Sequence, residues 1–321
     1  MKKTTRTLLG IGGAFCLIGA LLFGIGFMSG GTKYVHATNL NSMNAQEDNK
    51  ESANRFTLKK TEIPDFTSLN INLEDSDLNI EESPNEKSYI EYAQATKDKK
   101  NPVSYSIENG TLTLKEAGNT GASYYINVDI SFLQAALSSK NIEDYTKESS
   151  KYENYVTLYL PKDKLVSSAK IYLGYGDFYV KNAAFDTINI KLDDGDFDAN
   201  TLTANSGKLT FSYGDCDLQK ASLGNISLTL KDGDLTVNEL TLSGKTKIAL
   251  SYGDAEITLN DSTKKVSGFD LATHYGTITA SGLNGNKTVD EDDDVNTFQS
   301  DSKDGKTKLA IDSKDGDITV K

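Results

Sequence analysis

The chain has 321 residues with 46 acidic against 34 basic side chains, a formal net charge of −12 and a sequence pI near 4.8. Lys2, Lys3, Arg6 and Lys33 give the first 36 residues +4 with no acid, so the remainder carries −12 − 4 = −16; so acidic a body excludes nucleic acid and anionic lipid surfaces as partners and favours cationic peptides, basic proteins or metal ions. No Trp, 26 Gly and only 4 Pro suit many short strands joined by glycine turns, and two cysteines provide no disulfide framework.

Residues 1–7 form a basic stub. Leu8 to Met28 is a 21-residue run without a charge, long enough to cross a hydrocarbon core of about 30 Å. Positive residues before the run place the N-terminus inside and the body outside. Val35-His36-Ala37 is an acceptable cleavage site, so the protein would be secreted if cut after Ala37, but the run is longer than a usual signal core and reads as a retained transmembrane helix. Cys16 lies in mid-run, which excludes a lipoprotein cysteine, and Gly26 and Gly30 have the spacing of a helix-dimer face. Residues 29–54 are a polar linker with almost no apolar content from Thr38 to Ala53, the composition of a flexible tether.

The folded body runs over 55–321. Leu69-Asn70-Ile71-Asn72-Leu73 followed by Asp75-Ser76-Asp77 and Leu78-Asn79-Ile80 is strand, turn, strand, and forms a first rung. Tyr89 to Tyr92, Val103 to Ile107 and Leu112 to Leu114 alternate as strands, with Asn109-Gly110 as a hairpin turn. An insertion at about 118–150 continues as strand from Tyr124 to Phe132 and has helical spacing from Leu133 to Lys147. Tyr155 to Leu160 is a further strand, ended by Pro161-Lys162-Asp163.

A short signature then recurs as Tyr175-Gly176-Asp177, Asp194-Gly195-Asp196, Tyr213-Gly214-Asp215, Asp232-Gly233-Asp234 and Tyr252-Gly253-Asp254, at a nearly constant interval. Alternating Ile, Leu, Val and Phe flank each signature, the period of a strand with one buried face. Glycine reaches φ > 0 at no steric cost, and the following aspartate accepts a backbone hydrogen bond at the corner. A unit of ~19 residues cannot bury its apolar face alone and must stack on copies of itself. The prediction is all-β: one transmembrane helix, then a single-chain β-solenoid of stacked strand–turn–strand units, each coil holding either one unit of about 19 residues or two units, about 38 residues. Cys216 falls at an inward strand position as a small hydrophobe.

Beyond Leu259 the regularity weakens. Tyr275-Gly276-Thr277 lacks the aspartate, 284–304 is a polar interruption containing the acidic run 290–294, and Leu309 to Val320 with Asp315-Gly316-Asp317 is a last unit that closes the chain. The acidic run reads as a solvated loop, with capture of a cationic peptide as its functional alternative.

Four constellations could carry chemistry. Asp194, Asp196, Asp232 and Asp234, with Asp193 and Asp198 nearby, are candidate calcium ligands, but they lack the paired glycines of a calcium-binding β-roll, and corner hydrogen bonding is the favoured role. The Tyr/Asp alternation before each glycine keeps like charges from stacking if each coil is a single unit; a coil of two units would instead put Tyr175, Tyr213 and Tyr252 in a ladder of their own. Their expected role is to pack over the turns, with glycan contact as the alternative. His36, His274, Arg6 and Arg55 are the only histidines and arginines, and no acid pair stands apart from the corner aspartates, so no catalytic residue and no cofactor is expected.

The early Leu69-Asn70-Ile71 rung, Leu160-Pro161-Lys162-Asp163 and the serial Gly-Asp turns together resemble a bacterial family of β-strand-repeat envelope proteins known as putative adhesins, over roughly Phe56 to Lys321. The resemblance implies a non-catalytic surface protein without catalytic residues to carry over. Expected partners are the membrane, through 8–28, and cell-wall polymer, glycan, cationic peptide or an envelope protein. The acidic body beside a membrane also suggests a regulator or sensor of envelope stress, and a polysaccharide-acting β-helix enzyme is the remote third class.

Overall fold

A computed structural model describes residues 54–96, 100–117, 154–290 and 294–321. The run 8–28, the linker to residue 53 and the expected strand and helix over 124–147 lie outside the described residues. Among the described residues no helix is long and apolar enough to cross a membrane.

Alternation in the sequence becomes alternation in burial: β2 (Ser68–Leu73), β3 (Asp77–Glu82), β10 (Ala183–Asp194), β11 (Phe197–Phe211) and β12 (Cys216–Asp232) each bury roughly every second side chain. The strands run parallel, in register, at the predicted spacing. Ile190 of β10 pairs with Leu209 of β11, and Leu209 with Leu228 of β12, so each residue meets its counterpart in the very next unit. One coil therefore holds one unit, and the domain is all-β and solenoid-like.

Among the described residues, eight rungs with this corner stack in an order that departs from the sequence. Rung 1 is β2–β3, and rung 2 is β8 (Leu165–Tyr175) with β9 (Phe178–Val180). Rungs 3, 4 and 5 follow along β10, β11, β12 and β13 (Leu235–Leu242), and rung 6 is β14 (Lys245–Tyr252) with β15 (Ala255–Leu259). Next comes β20 (Lys308–Ser313) with β21 (Ile318–Val320), which pairs with rung 6 on one side and with β16 (Gly268–Thr273) and β17 (Ile278–Ala280) on the other. The last unit of the sequence is thus rung 7, and Tyr275-Gly276-Thr277 belongs to rung 8, the terminal one. Leu309 to Val320, the last unit of the chain, is therefore not the last of the stack: a parallel strand inserted between two others satisfies both of its ladder edges, whereas one laid on the end leaves an edge bare.

The other end follows the same plan. β6 (Thr111–Glu116) and β7 (Tyr155–Leu160) lie parallel on β2 and β3, so rung 1 is inserted between them and rung 2. Beyond them, β5 (Val103–Glu108) pairs antiparallel with β6 through a turn in which Asn109 and Gly110 have φ of 50° and 73°, the two left-handed residues a tight hairpin demands. β4 (Ser88–Thr96) covers β7, and β1 (Asn54–Ile63) covers β4.

The polar stretch 284–304 has strand structure of its own, and positions 291–293 of its acidic run lie outside the described residues. It contains β18 (Asn286–Asp290) and β19 (Val295–Ser300), an antiparallel pair laid on β16 that buries Phe298 against Phe269 at 6.5 Å. Every residue of β18 is exposed, so polar composition there marks an edge strand. A short helix, α1 (Asp261–Val266), capped by Asn260, links rungs 6 and 8.

Inside, like positions form columns. Leu78, Phe178, Phe197, Cys216, Leu235, Ala255, Ile318 and Ile278 succeed one another, with Phe178 and Phe197 at 5.1 Å, and all are buried. Each fully buried large side chain contributes about 1.5–3 kcal/mol. Burial also pushes the Cys216 thiol up, so this cysteine is inert packing.

Candidate functional site

Each Gly-Asp signature forms a corner between two strands. Gly176, Gly195, Gly214, Gly233, Gly253 and Gly316 have φ between 120° and 146°, and a Cβ on any of them would lie 2.0–2.6 Å from the carbonyl oxygen of the rung below. Close stacking of backbones at the corner demands glycine there.

The aspartates complete the corner. The Oδ1 of Asp77 accepts from the N–H of Asp177 at 2.9 Å, Asp177 from Asp196, Asp196 from Asp215, Asp215 from Asp234, Asp234 from Asp254, Asp254 from Asp317, and Asp317 from the N–H of Thr277. Seven carboxylates link eight rungs in one chain of 2.7–2.9 Å bonds. Thr277 can replace the aspartate because, among the described residues, its rung is the terminal one and no further corner N–H follows it. Ser76 can replace the glycine because it lies in rung 1, where its buried hydroxyl donates to Gln94 at 2.7 Å. Gln94 in turn donates to Glu116, whose Oε2 accepts from the N–H groups of Glu74 and Asp75. Burial holds the Glu116 carboxyl above its ordinary value.

The residue before the corner carries the candidate site. In spatial order the column reads Asp75, Tyr175, Asp194, Tyr213, Asp232, Tyr252, Asp315, Tyr275. Aspartate and tyrosine alternate without a break over all eight rungs. In sequence order the alternation fails, because Tyr252 is followed by Tyr275; only insertion of rung 7 restores it. Tyr175, Tyr213, Tyr252 and Tyr275 are 56%, 59%, 61% and 69% exposed. They do not pack over the turns as expected: the glycine corners stack so closely that the ring has no groove to lie in, and it projects into water.

This edge is strongly acidic. Asp75, Asp194, Asp232 and Asp315 lie beside the seven corner carboxylates, and Lys231 and Lys314 are the lysines within the corner tetrapeptides. Asp198, one strand position further, is raised by lost solvation and then by repulsion from Asp217, Asp196, Asp177 and Asp215. Tyr172 donates to Asp193 at 3.0 Å, and burial followed by that carboxylate pushes its phenol up to about 12.

Of the calcium candidates, Asp196 and Asp234 each spend Oδ1 on a backbone N–H, while Asp194 and Asp232 stand two rungs apart with Tyr213 between them. Among the described residues no group of three His, Cys, Asp or Glu is arranged to hold a metal ion. His274 is exposed on rung 8, beside Tyr275. Two shallow depressions on outward strand faces, of about 180 and 420 Å³, are lined mainly by short and polar side chains such as Thr201, Ser222, Ala249 and Asp312. Asp75, Asp315 and Tyr275, read in the sequence as turn residues outside the regular series, join the alternating column in the structure, and the absent aspartate at Thr277 was the signal that its rung is the end.

No curated protein matches the chain significantly. Similar solved structures include a putative cell adhesion protein from Clostridium sporogenes, at 14% identity and a TM-score of 0.34 over 82% of this chain and 99% of that one. They also include a putative adhesin from Bacteroides fragilis, at 10% identity and 0.40 over 84% and 99%, and a putative lipid binding protein from Parabacteroides distasonis, at 12% and 0.40 over 84% and 97%. The family model described as Toastrack DUF4097 matches residues 66–321, from the connection just before rung 1 to the end of the chain, past rung 7. With four-fifths of its length inside that match, the chain belongs to the Toastrack DUF4097 family.

Proposed function

We propose that this protein is a non-catalytic binding module of the bacterial cell envelope, held at the membrane by residues 8–28 with the solenoid outside, and that it binds through the aspartate–tyrosine edge. The observation that carries this is the unbroken alternation of Asp75 through Tyr275 over eight rungs, with four large aromatic rings exposed where packing would have hidden them. Exposed aromatics on a rigid scaffold are the side chains that recognition surfaces favour. Retention of the purified protein on cell-wall material, with the quadruple variant Tyr175→Ser, Tyr213→Ser, Tyr252→Ser, Tyr275→Ser as comparison, tests it; equal retention of the two refutes binding through this edge.

A second reading, a regulator of the envelope-stress response that detects cationic peptides, is favoured by the concentration of carboxylates on one edge. Titration with a basic peptide at low and high salt tests it. Binding at low salt that falls steeply at high salt supports it, and absence of binding at both refutes direct sensing.

A further inference from the structure

The tyrosine column is a ruler. Parallel strands stack roughly 4.8 Å apart, so rings on every second rung repeat at about 9.6 Å and the four rings span about 29 Å. A linear partner that meets each ring with a like group must share this repeat. In a polyproline II chain, three residues make one turn of about 9.3 Å, so every third side chain faces the same way and the accumulated error across the four rings is about 1 Å. An α-helix offers about 10.8 Å for two turns and drifts by about 3.6 Å over the same span. A β-strand presents one face every two residues, at about 6.8 Å, and does not match.

The chemistry of the matching group follows from the neighbours. Tyr175, Tyr213 and Tyr252 are each flanked along the column by two aspartates, as Tyr213 is by Asp194 and Asp232, with a corner carboxylate two residues on, as Asp215 is; Tyr275, on the terminal rung, has Asp315 on one side and Thr277 at its corner. A cation over a tyrosine face is attracted by the ring and, here, also by the acids beside it. An anionic polymer is repelled, and a neutral glycan gains nothing from the alternating charge.

We infer that the edge binds an extended basic polypeptide in the polyproline II conformation, with an Arg or Lys at every third residue placed over Tyr175, Tyr213, Tyr252 and Tyr275. This rests on the edge being the binding surface, and adds the partner's class and its register.

The test uses the full chain and three synthetic twelve-residue peptides: four Arg-Pro-Pro repeats, four arginines alternating with single prolines and padded with proline, and four Gln-Pro-Pro repeats. Each exposed cation–ring contact is worth a factor of about 2–5 in affinity. The period-three arginine peptide is therefore expected to bind about tenfold or more tightly than the equally charged period-two peptide at one ionic strength. The neutral peptide should not bind measurably. In the Tyr175→Ser, Tyr213→Ser, Tyr252→Ser variant, checked for an unchanged melting temperature, the advantage of period three should vanish while the salt dependence remains. Equal affinity for the two arginine spacings overturns the inference, and so does an unaltered advantage in the triple variant. Binding of an uncharged chito-oligosaccharide at the tyrosines with no peptide binding also overturns it. Affinity of the two arginine peptides for the triple variant separates the two levels: affinity that falls with the tyrosines but shows no spacing effect refutes only the register, while affinity for both peptides that is indifferent to the tyrosines refutes the edge itself.

Discussion

Gly214→Ala is the sharpest perturbation of the corner column. Its Cβ would sit 2.2 Å from the carbonyl oxygen of Gly195 and 2.7 Å from its carbon, about 1 Å inside an ordinary contact, on a residue with φ of 120°. Relief requires rungs 3 and 4 to part at the corner. The N–H of Gly195 to the carbonyl of Tyr213, at 3.1 Å, and the N–H of Asp215 to Asp196, at 2.8 Å, would both stretch beyond hydrogen-bonding range. A non-glycine residue held in such a region costs roughly 1–3 kcal/mol, and inserting a methyl into a packed site costs roughly 1–3 kcal/mol more. A central value of about 4 kcal/mol lowers the melting temperature of a domain of this size by roughly 8–16 °C. Gly282→Ala is the control: φ is 70° there and nothing lies within 4 Å of a new Cβ, so only the left-handed penalty of roughly 1–2 kcal/mol applies. Thermal denaturation followed by circular dichroism compares them. Equal melting temperatures for the two variants would refute backbone stacking as the reason for glycine at the corner.

The aspartate chain gives a contrasting pair. Asp215→Ala removes the acceptor for the N–H of Asp234 and should cost about 0.5–2 kcal/mol, as loss of a capping oxygen does; Asp215→Asn keeps an oxygen and removes one of seven stacked charges, so it should stay within about 0.5 kcal/mol of wild type in urea denaturation. For Glu116 the sign follows from its raised folded-state pKa: its contribution is fully present below the unfolded value, near 4.5, and is lost as pH rises through the folded one. The melting temperature of Glu116→Gln minus that of wild type should therefore be near zero in acid and increase with pH; a constant difference contradicts the burial account. Truncation after Asp304 removes rung 7, the partner of both rung 6 and rung 8. Hydrogen exchange in β14, β15 and β16 should become fast, and protection equal to that of the full chain would contradict the inserted order.

The fold was legible where the physics is local. Glycine at a positive-φ corner, aspartate after it and alternation on either side are properties of one unit, and they located the rungs from Leu69 to Leu259 at the right spacing. Stacking order is a property of edges, and the corner pattern cannot report it. Leu309 to Val320 looks like any other rung; only the bare edges of rungs 6 and 8 place it between them. Two signals were nonetheless present. The alternation of Tyr and Asp breaks at Tyr252 and Tyr275 unless Asp315 stands between, and Thr277 without its carboxylate marks the rung above which there is no N–H to bind. The hairpin of β18 and β19 was hidden by its charge, because an exposed edge strand is protected by the residues that make it resemble a loop. The tyrosines misled for another reason: packing over a turn needs a groove, and glycines stacked at backbone contact leave none.

The central claim, that the alternating edge is where this protein meets its partner, is tested most directly by position-specific cross-linking. A photoreactive side chain at Tyr213 on the exposed column, compared with one at Tyr105 on the exposed face of β5, is illuminated in the presence of envelope material. The account predicts adducts from position 213 and few from position 105. Adducts at 105 in equal or greater yield would contradict it.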